Sequence, residues 1–107
     1  MDREVTFVRV YLREGDQGKR KRLTDELFQL LHEQHGIHGV TVFRGIAGFG
    51  EHGEAHAADI LHLAVDLPVV IEFFDAPELV EKAIASLAGR VPPNHIVFWP
   101  AKMNSAG

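Results

Sequence analysis

The chain contains no cysteine, which removes disulfide bridges, thiolate nucleophiles and cysteine-based metal sites at once. Any metal would need histidine and carboxylate donors instead. Apolar runs are also short, far below the roughly 20 residues of a membrane-spanning helix. The opening MDREVTFVRV starts with charges and passes into a short alternating segment rather than an apolar secretory core, so a cytoplasmic protein is expected. Positive charge is scarce: 11 Lys and Arg stand against 15 Asp and Glu, for a formal net charge of -4. That balance offers no general attraction to a polyphosphate backbone, and nucleic acid is not expected as a partner.

What is present fits one folded unit. At 107 residues the chain can build a single core, but not a cofactor domain beside a substrate domain. A single domain over residues 1–107 is expected, ordered from about 4 to 100. VTFVRVYL, residues 5–12, is rich in β-branched and aromatic residues and reads as a strand, followed by the polar loop REGDQG. Leu23, Leu27, Leu30 and Leu31 recur at helical spacing up to Gly36. A second strand is expected from about Val40 to Ala47, and a third, PVVIEFF, over residues 68–74.

Asp75-Ala76-Pro77-Glu78 reads as an N-cap acid, a first-turn proline and a capping-box glutamate, which opens a second helix over 76–88. HIVFW then forms a last strand after Pro92-Pro93-Asn94, and PAKMNSAG is expected to fray. The order β-α-β-β-α-β predicts an α+β, ferredoxin-like sandwich. In that fold two helices cover one face of a four-stranded antiparallel sheet, with strands one and three at its centre. Yet neither side of those strands is polar. Thr6, Val8, Val10 and Leu12 face Val69, Ile71 and Phe73 on one side; Phe7, Arg9, Tyr11, Val70, Glu72 and Phe74 share the other. The second face is therefore expected to be buried against another subunit, with Arg9 and Glu72 neutralising each other at its middle.

Between strands two and three, GFGEHG matches the G-x-G-x-x-G of a dinucleotide-binding turn letter by letter. The context argues against that use. Too few strands remain for two mononucleotide halves, and Glu51 and Glu54 would repel a pyrophosphate at a helix N-terminus. Gly45, Gly48, Gly50 and Gly53 better suit a long loop, about 47–66, that needs tight turns or close backbone approach. A loop of that length inside a compact domain usually serves function.

GVTVFRGIAGFGEHGEAHAADILHLAVDLPVVIEFFDAPE resembles the family known as domain of unknown function 190, placed among the PII-like proteins. Arg44-Gly45, Gly48-Phe49-Gly50, His56 and Asp66-Leu67-Pro68 carry the likeness. The resemblance implies a homotrimer with sheets facing inward and a small-molecule effector in clefts between subunits. It makes the stretch after Gly50 a counterpart of the PII T-loop, which would signal to a protein partner such as a membrane transporter or an enzyme. An adenine nucleotide is the implied ligand, held by Arg44, Gly48, Phe49, Gly50, His52, His56, Arg90 and Lys102. His52 stands where PII proteins have a glutamine and Gly53 where they have a lysine, so phosphate compensation is thinner here.

A second reading uses His52 and His56, with Glu51, Glu54 and Asp59 nearby, as donors for a divalent metal, in a metal-binding protein or a small metal-dependent enzyme. His32, His35 and His38 are expected at the exposed end of the first helix, complementing its dipole. GKRKR, residues 18–22, is expected to be a solvated charged face. No nucleophile, base and acid assemble with any specificity, so binding rather than catalysis is expected.

Overall fold

The computed structural model describes residues 2–13, 17–45 and 68–105. The elements are β1 (Asp2–Arg13), α1 (Gln17–Gln29) continuing into a π-helical turn (Leu30–Gln34), β2 (Val40–Arg44), β3 (Pro68–Asp75), α2 (Pro77–Ala88) and β4 (Ile96–Asn104). The expected β-α-β-β-α-β order is the observed one. The four strands lie in the order β2-β3-β1-β4, every neighbouring pair antiparallel, with β1 and β3 at the centre.

Period-2 alternation builds the core from one side of the sheet. Val8, Val10 and Leu12 of β1 and Ile71 and Phe73 of β3 are buried under Leu27, Leu30 and Leu31 from the first helical segment and Val80, Ala83 and Leu87 from α2. The first segment ends where Gly36 adopts φ 62°, a left-handed conformation that glycine takes without penalty. Ile37 then turns back, its N–H donating to the Leu31 carbonyl at 2.9 Å, and its side chain enters the core.

Three local expectations are corrected. The N-cap of α2 is Ala76, without a side-chain cap, and Pro77 opens the helix. Asp75 is instead the last residue of β3, and Glu78 completes no capping box. The expected fraying tail is strand: β4 continues through Pro100 to Asn104, paired with β1 from Val10↔Ile96 to Asp2↔Asn104. Pro100 is tolerated within it because β4 is an edge strand, where a missing N–H costs no ladder bond on the outer side. Finally, His38 lies past the helix end, on the segment that enters β2. β2 itself runs to Arg44; its expected continuation to Ala47 falls outside the described residues.

At the far end of the β2–β3 ladder the Gly45 N–H donates to the Pro68 carbonyl at 2.7 Å. A Cβ on residue 45 would stand 2.5 Å from Cγ of Pro68, so this glycine is required by close approach. Gly45→Ala should cost about 1–3 kcal/mol through that overlap. Phe73→Ala, at 1% exposure among the largest buried side chains, should cost about 4 kcal/mol. Urea denaturation followed by circular dichroism measures both, and a loss below 1 kcal/mol for Phe73→Ala would contradict this core.

Candidate functional site

The helix-free face of the sheet carries the six residues expected there. Phe7, Arg9 and Tyr11 on β1 stand opposite Phe74, Glu72 and Val70 on β3. Phe7 stacks on Phe74 with ring centroids 5.6 Å apart, and on Trp99 of β4 at 4.8 Å, forming a cross-strand aromatic ladder. Phe43 and Val97 extend the same face through their pairing with Val70 and Arg9. Tyr11, Phe43, Phe74, Val97 and Trp99 are all exposed in the isolated chain, at 38–49%. Amid this apolar surface Arg9 Nε donates to Glu72 Oε1 at 3.1 Å, with Nη2 at 3.1 Å from the same oxygen. The Tyr11 side chain and then Glu72 push the Arg9 guanidinium above its ordinary value, so it stays charged. Trp99, Phe43 and Val97 were not singled out from the sequence, although all three lie on expected strands; their face follows from the register with β1 and β3.

The three basic candidates that can be placed lie apart. Arg44 ends β2, on one edge of the sheet. Lys102 lies on β4, at the opposite edge, with Glu4 as its partner across the ladder. Three strand spacings separate those edges, about 14 Å. Arg90 follows α2 and faces Glu26 of α1, Nη1 to Oε2 3.7 Å, both side chains about half exposed. Between α2 and β4, on the edge that carries Lys102, Thr6, Val80, Glu81, Ile84, Phe98 and Pro100 help line a cleft of about 530 Å³. Gly48, Phe49, Gly50, His52 and His56 lie outside the described residues.

One polar arrangement was not anticipated. Asp75 is buried at 4% exposure, and its carboxylate accepts three hydrogen bonds. Oδ2 takes the His38 backbone N–H at 3.0 Å and the His38 ring Nδ1–H at 2.8 Å, while Oδ1 takes the Ala76 N–H at 2.8 Å. Burial by itself raises the pKa of this carboxyl, but the bonds from His38 and Ala76 outweigh it, and the net displacement is downward. The residue read as a helix cap is therefore a clamp, joining the segment before β2 to the β3–α2 junction. His35 is tied separately, its Nε2 2.9 Å from Ser86 Oγ of α2, and His32 remains exposed on the π-helical turn.

Because the folded-state pKa of Asp75 lies below the ordinary 3.8, its stabilisation is whole above that value and lost as pH falls through the lowered one. Asp75→Asn should cost about 2 kcal/mol at pH 7, since an amide must turn a donor toward one of the three N–H groups. Urea midpoints of the two proteins should converge as pH is lowered below 4; a gap that persists undiminished at the acid end would refute the charged clamp.

Comparison with known proteins places this geometry. Residues 5–103 match the family model of domain of unknown function 190, described as an uncharacterized ACR. A UPF0166 protein of Methanocaldococcus jannaschii is 34% identical over 95 residues, covering 89% of this chain and 86% of that one. Among solved structures, the nitrogen regulatory PII-like protein CPII of Thiomonas intermedia K12, bound to ADP, AMP and bicarbonate, superposes with a TM-score of 0.62 at 15% identity, covering 97% of this chain and 99% of that one. The divalent ion tolerance protein CutA1 of Ehrlichia chaffeensis gives 0.55 at 13% identity, covering 96% and 84%. These structural likenesses are likenesses of fold. With its four-stranded antiparallel sheet, two helices and family match over nearly its whole length, the chain belongs to the domain of unknown function 190 family and has the PII-like, ferredoxin-like fold.

Proposed function

We propose that this chain is a regulatory binding subunit. It associates as a homotrimer through the helix-free face of its sheet, takes an adenine nucleotide in clefts between subunits, and signals through the segment joining β2 to β3 to a protein partner. The observation that carries the reading is that face: an aromatic ladder of Phe74, Phe7 and Trp99 continued by Tyr11, Phe43 and Val97. Contiguous apolar surface rimmed by polar residues marks an interaction site. Burying it would desolvate Arg9 and Glu72, and because they already neutralise each other the face can close without an unpaired charge.

Support for the cleft comes from the basic residues. Arg44 and Lys102 stand on opposite edges of one sheet, so they reach a common ligand only if the β2 edge of one subunit meets the β4 edge of the next. A closed symmetric ring creates that meeting at each interface. The apolar cleft beside β4 then offers a surface for the base, and Arg44 and Lys102 compensate the phosphates. That PII-like CPII is bound to ADP and AMP favours an adenine nucleotide as the first ligand to test. No helix among the described residues is long and apolar enough to cross a membrane; the partner signalled to would be a membrane transporter or an enzyme.

Multi-angle light scattering should give three times the 11.9 kDa of one chain, and Phe7→Asp should reduce that mass to a single chain. A monomeric wild-type protein at micromolar concentration would defeat the proposal. Calorimetry with ADP and AMP should show binding to the trimer, weakened about tenfold or more by Arg44→Ala and by Lys102→Ala. A trimer that ignores every adenine nucleotide would leave the assembly standing and remove the ligand.

A further inference from the structure

We propose that His38, held from behind by Asp75, anchors a binding site for a borderline divalent cation of the zinc, nickel or copper type, with His32 and Glu33 as the further donors. The site uses neither His52 and His56 nor the residues of the nucleotide cleft proposed above. Its anchor is built into the fold. Nδ1–H donates to Asp75 Oδ2 at 2.8 Å, which leaves Nε2 as the lone-pair nitrogen of a neutral ring whose side chain is 83% exposed. A carboxylate behind an imidazole fixes tautomer and orientation and raises ligand basicity, the outer-shell arrangement common to metal-binding histidines.

The carboxylate is itself immobilised, buried and bonded to the Ala76 N–H, and the same oxygen also holds the His38 backbone. The imidazole is thus fixed at two points before any ligand arrives. Beside it, His32, Glu33 and Gln29 join the apolar Phe28, Ile37 and Val40 around a cleft of about 360 Å³. His32 and Glu33 lie on the π-helical turn, a backbone form that recurs at functional sites.

Other described histidines lack this combination. His35 uses Nε2 toward Ser86. His95 has its Nδ1 2.8 Å from the Tyr11 backbone carbonyl rather than a carboxylate. Two imidazoles and a carboxylate select first-row metals such as zinc over calcium or magnesium, which prefer all-oxygen shells. Among the described residues no three ligating groups already stand in a coordinating arrangement. Metal binding therefore requires the exposed His32 and Glu33 side chains to rotate toward the fixed His38, and the remaining positions go to water. Such a half-organised, open site implies affinity in the micromolar range rather than that of a closed structural zinc centre.

The test is isothermal titration of the full-length protein with zinc chloride at neutral pH in a non-coordinating buffer, with cobalt absorption as a second readout. One metal per chain is expected. His38→Ala and His32→Ala, surface changes whose folding circular dichroism checks, should each weaken binding tenfold or more, and Asp75→Asn by about 10- to 100-fold. In a His52→Ala/His56→Ala background, His38→Ala should still weaken binding tenfold or more. Absence of sub-millimolar binding, binding unchanged in His38→Ala, or binding lost only in the loop double variant would each overturn the proposal, and none of these outcomes bears on nucleotide affinity.

Discussion

Everything in this molecule depends on a mismatch between what the sheet must bury and what the helices can cover. Both sides of β1 and β3 are apolar, and the two helices sit on one side only. On the covered side, Val8, Val10, Ile71 and Phe73 are sealed to 1% exposure or less. On the other, Phe74 and Trp99 stack against Phe7 and still remain 43% and 38% exposed. Cross-strand stacking recovers part of the burial each ring would gain from a layer above it, and it flattens the surface into a ladder. A flat apolar ladder with one neutralised ion pair at its middle is suited to a copy of itself.

The same topology decides what a single subunit cannot do alone. Its order β2-β3-β1-β4 sends Arg44, at the end of β2, and Lys102, on β4, to opposite edges. A ligand-binding set assembled from both is incomplete within one chain, however well each half is formed. Arg90 adds little within the chain, since it is engaged with Glu26 across the helix layer. In the proposed assembly binding and association would be linked: a ligand held by both edges would stabilise only the assembled form, and its apparent affinity would depend on protein concentration.

Much of this was legible in the residues. Alternation in VTFVRVYL and PVVIEFF gave the central strands, their faces and the Arg9–Glu72 pairing, because period-2 patterns report orientation directly. The misses share a physical cause: each needed a partner distant in sequence. Trp99 lay on an expected strand, but its place beside Phe7 follows only from the register of that strand against β1, and the strand's continuation through Pro100 from its position at the sheet edge. Asp75 satisfied every local requirement of an N-cap, and only the approach of His38, 37 residues away, shows where its carboxylate goes. Residues 46–67, which hold the glycine motif and His52 and His56, lie outside the described residues, so that part of the candidate site rests on sequence alone.

The Asp75–His38 contact also explains why this junction must be polar in an otherwise apolar core. The chain leaves the first helical segment through Gly36 at φ 62° and must enter β2 within a few residues, with the His38 N–H left without a carbonyl partner in the ladder, since the pairing with β3 begins at Val40. A buried donor left unsatisfied costs about as much as a lost hydrogen bond. One carboxylate at the end of β3 satisfies that N–H, the Ala76 N–H at the start of α2 and the ring of His38 together. Removing the charge therefore disturbs three segments at once, and the oxygen that satisfies the His38 backbone also orients its exposed imidazole.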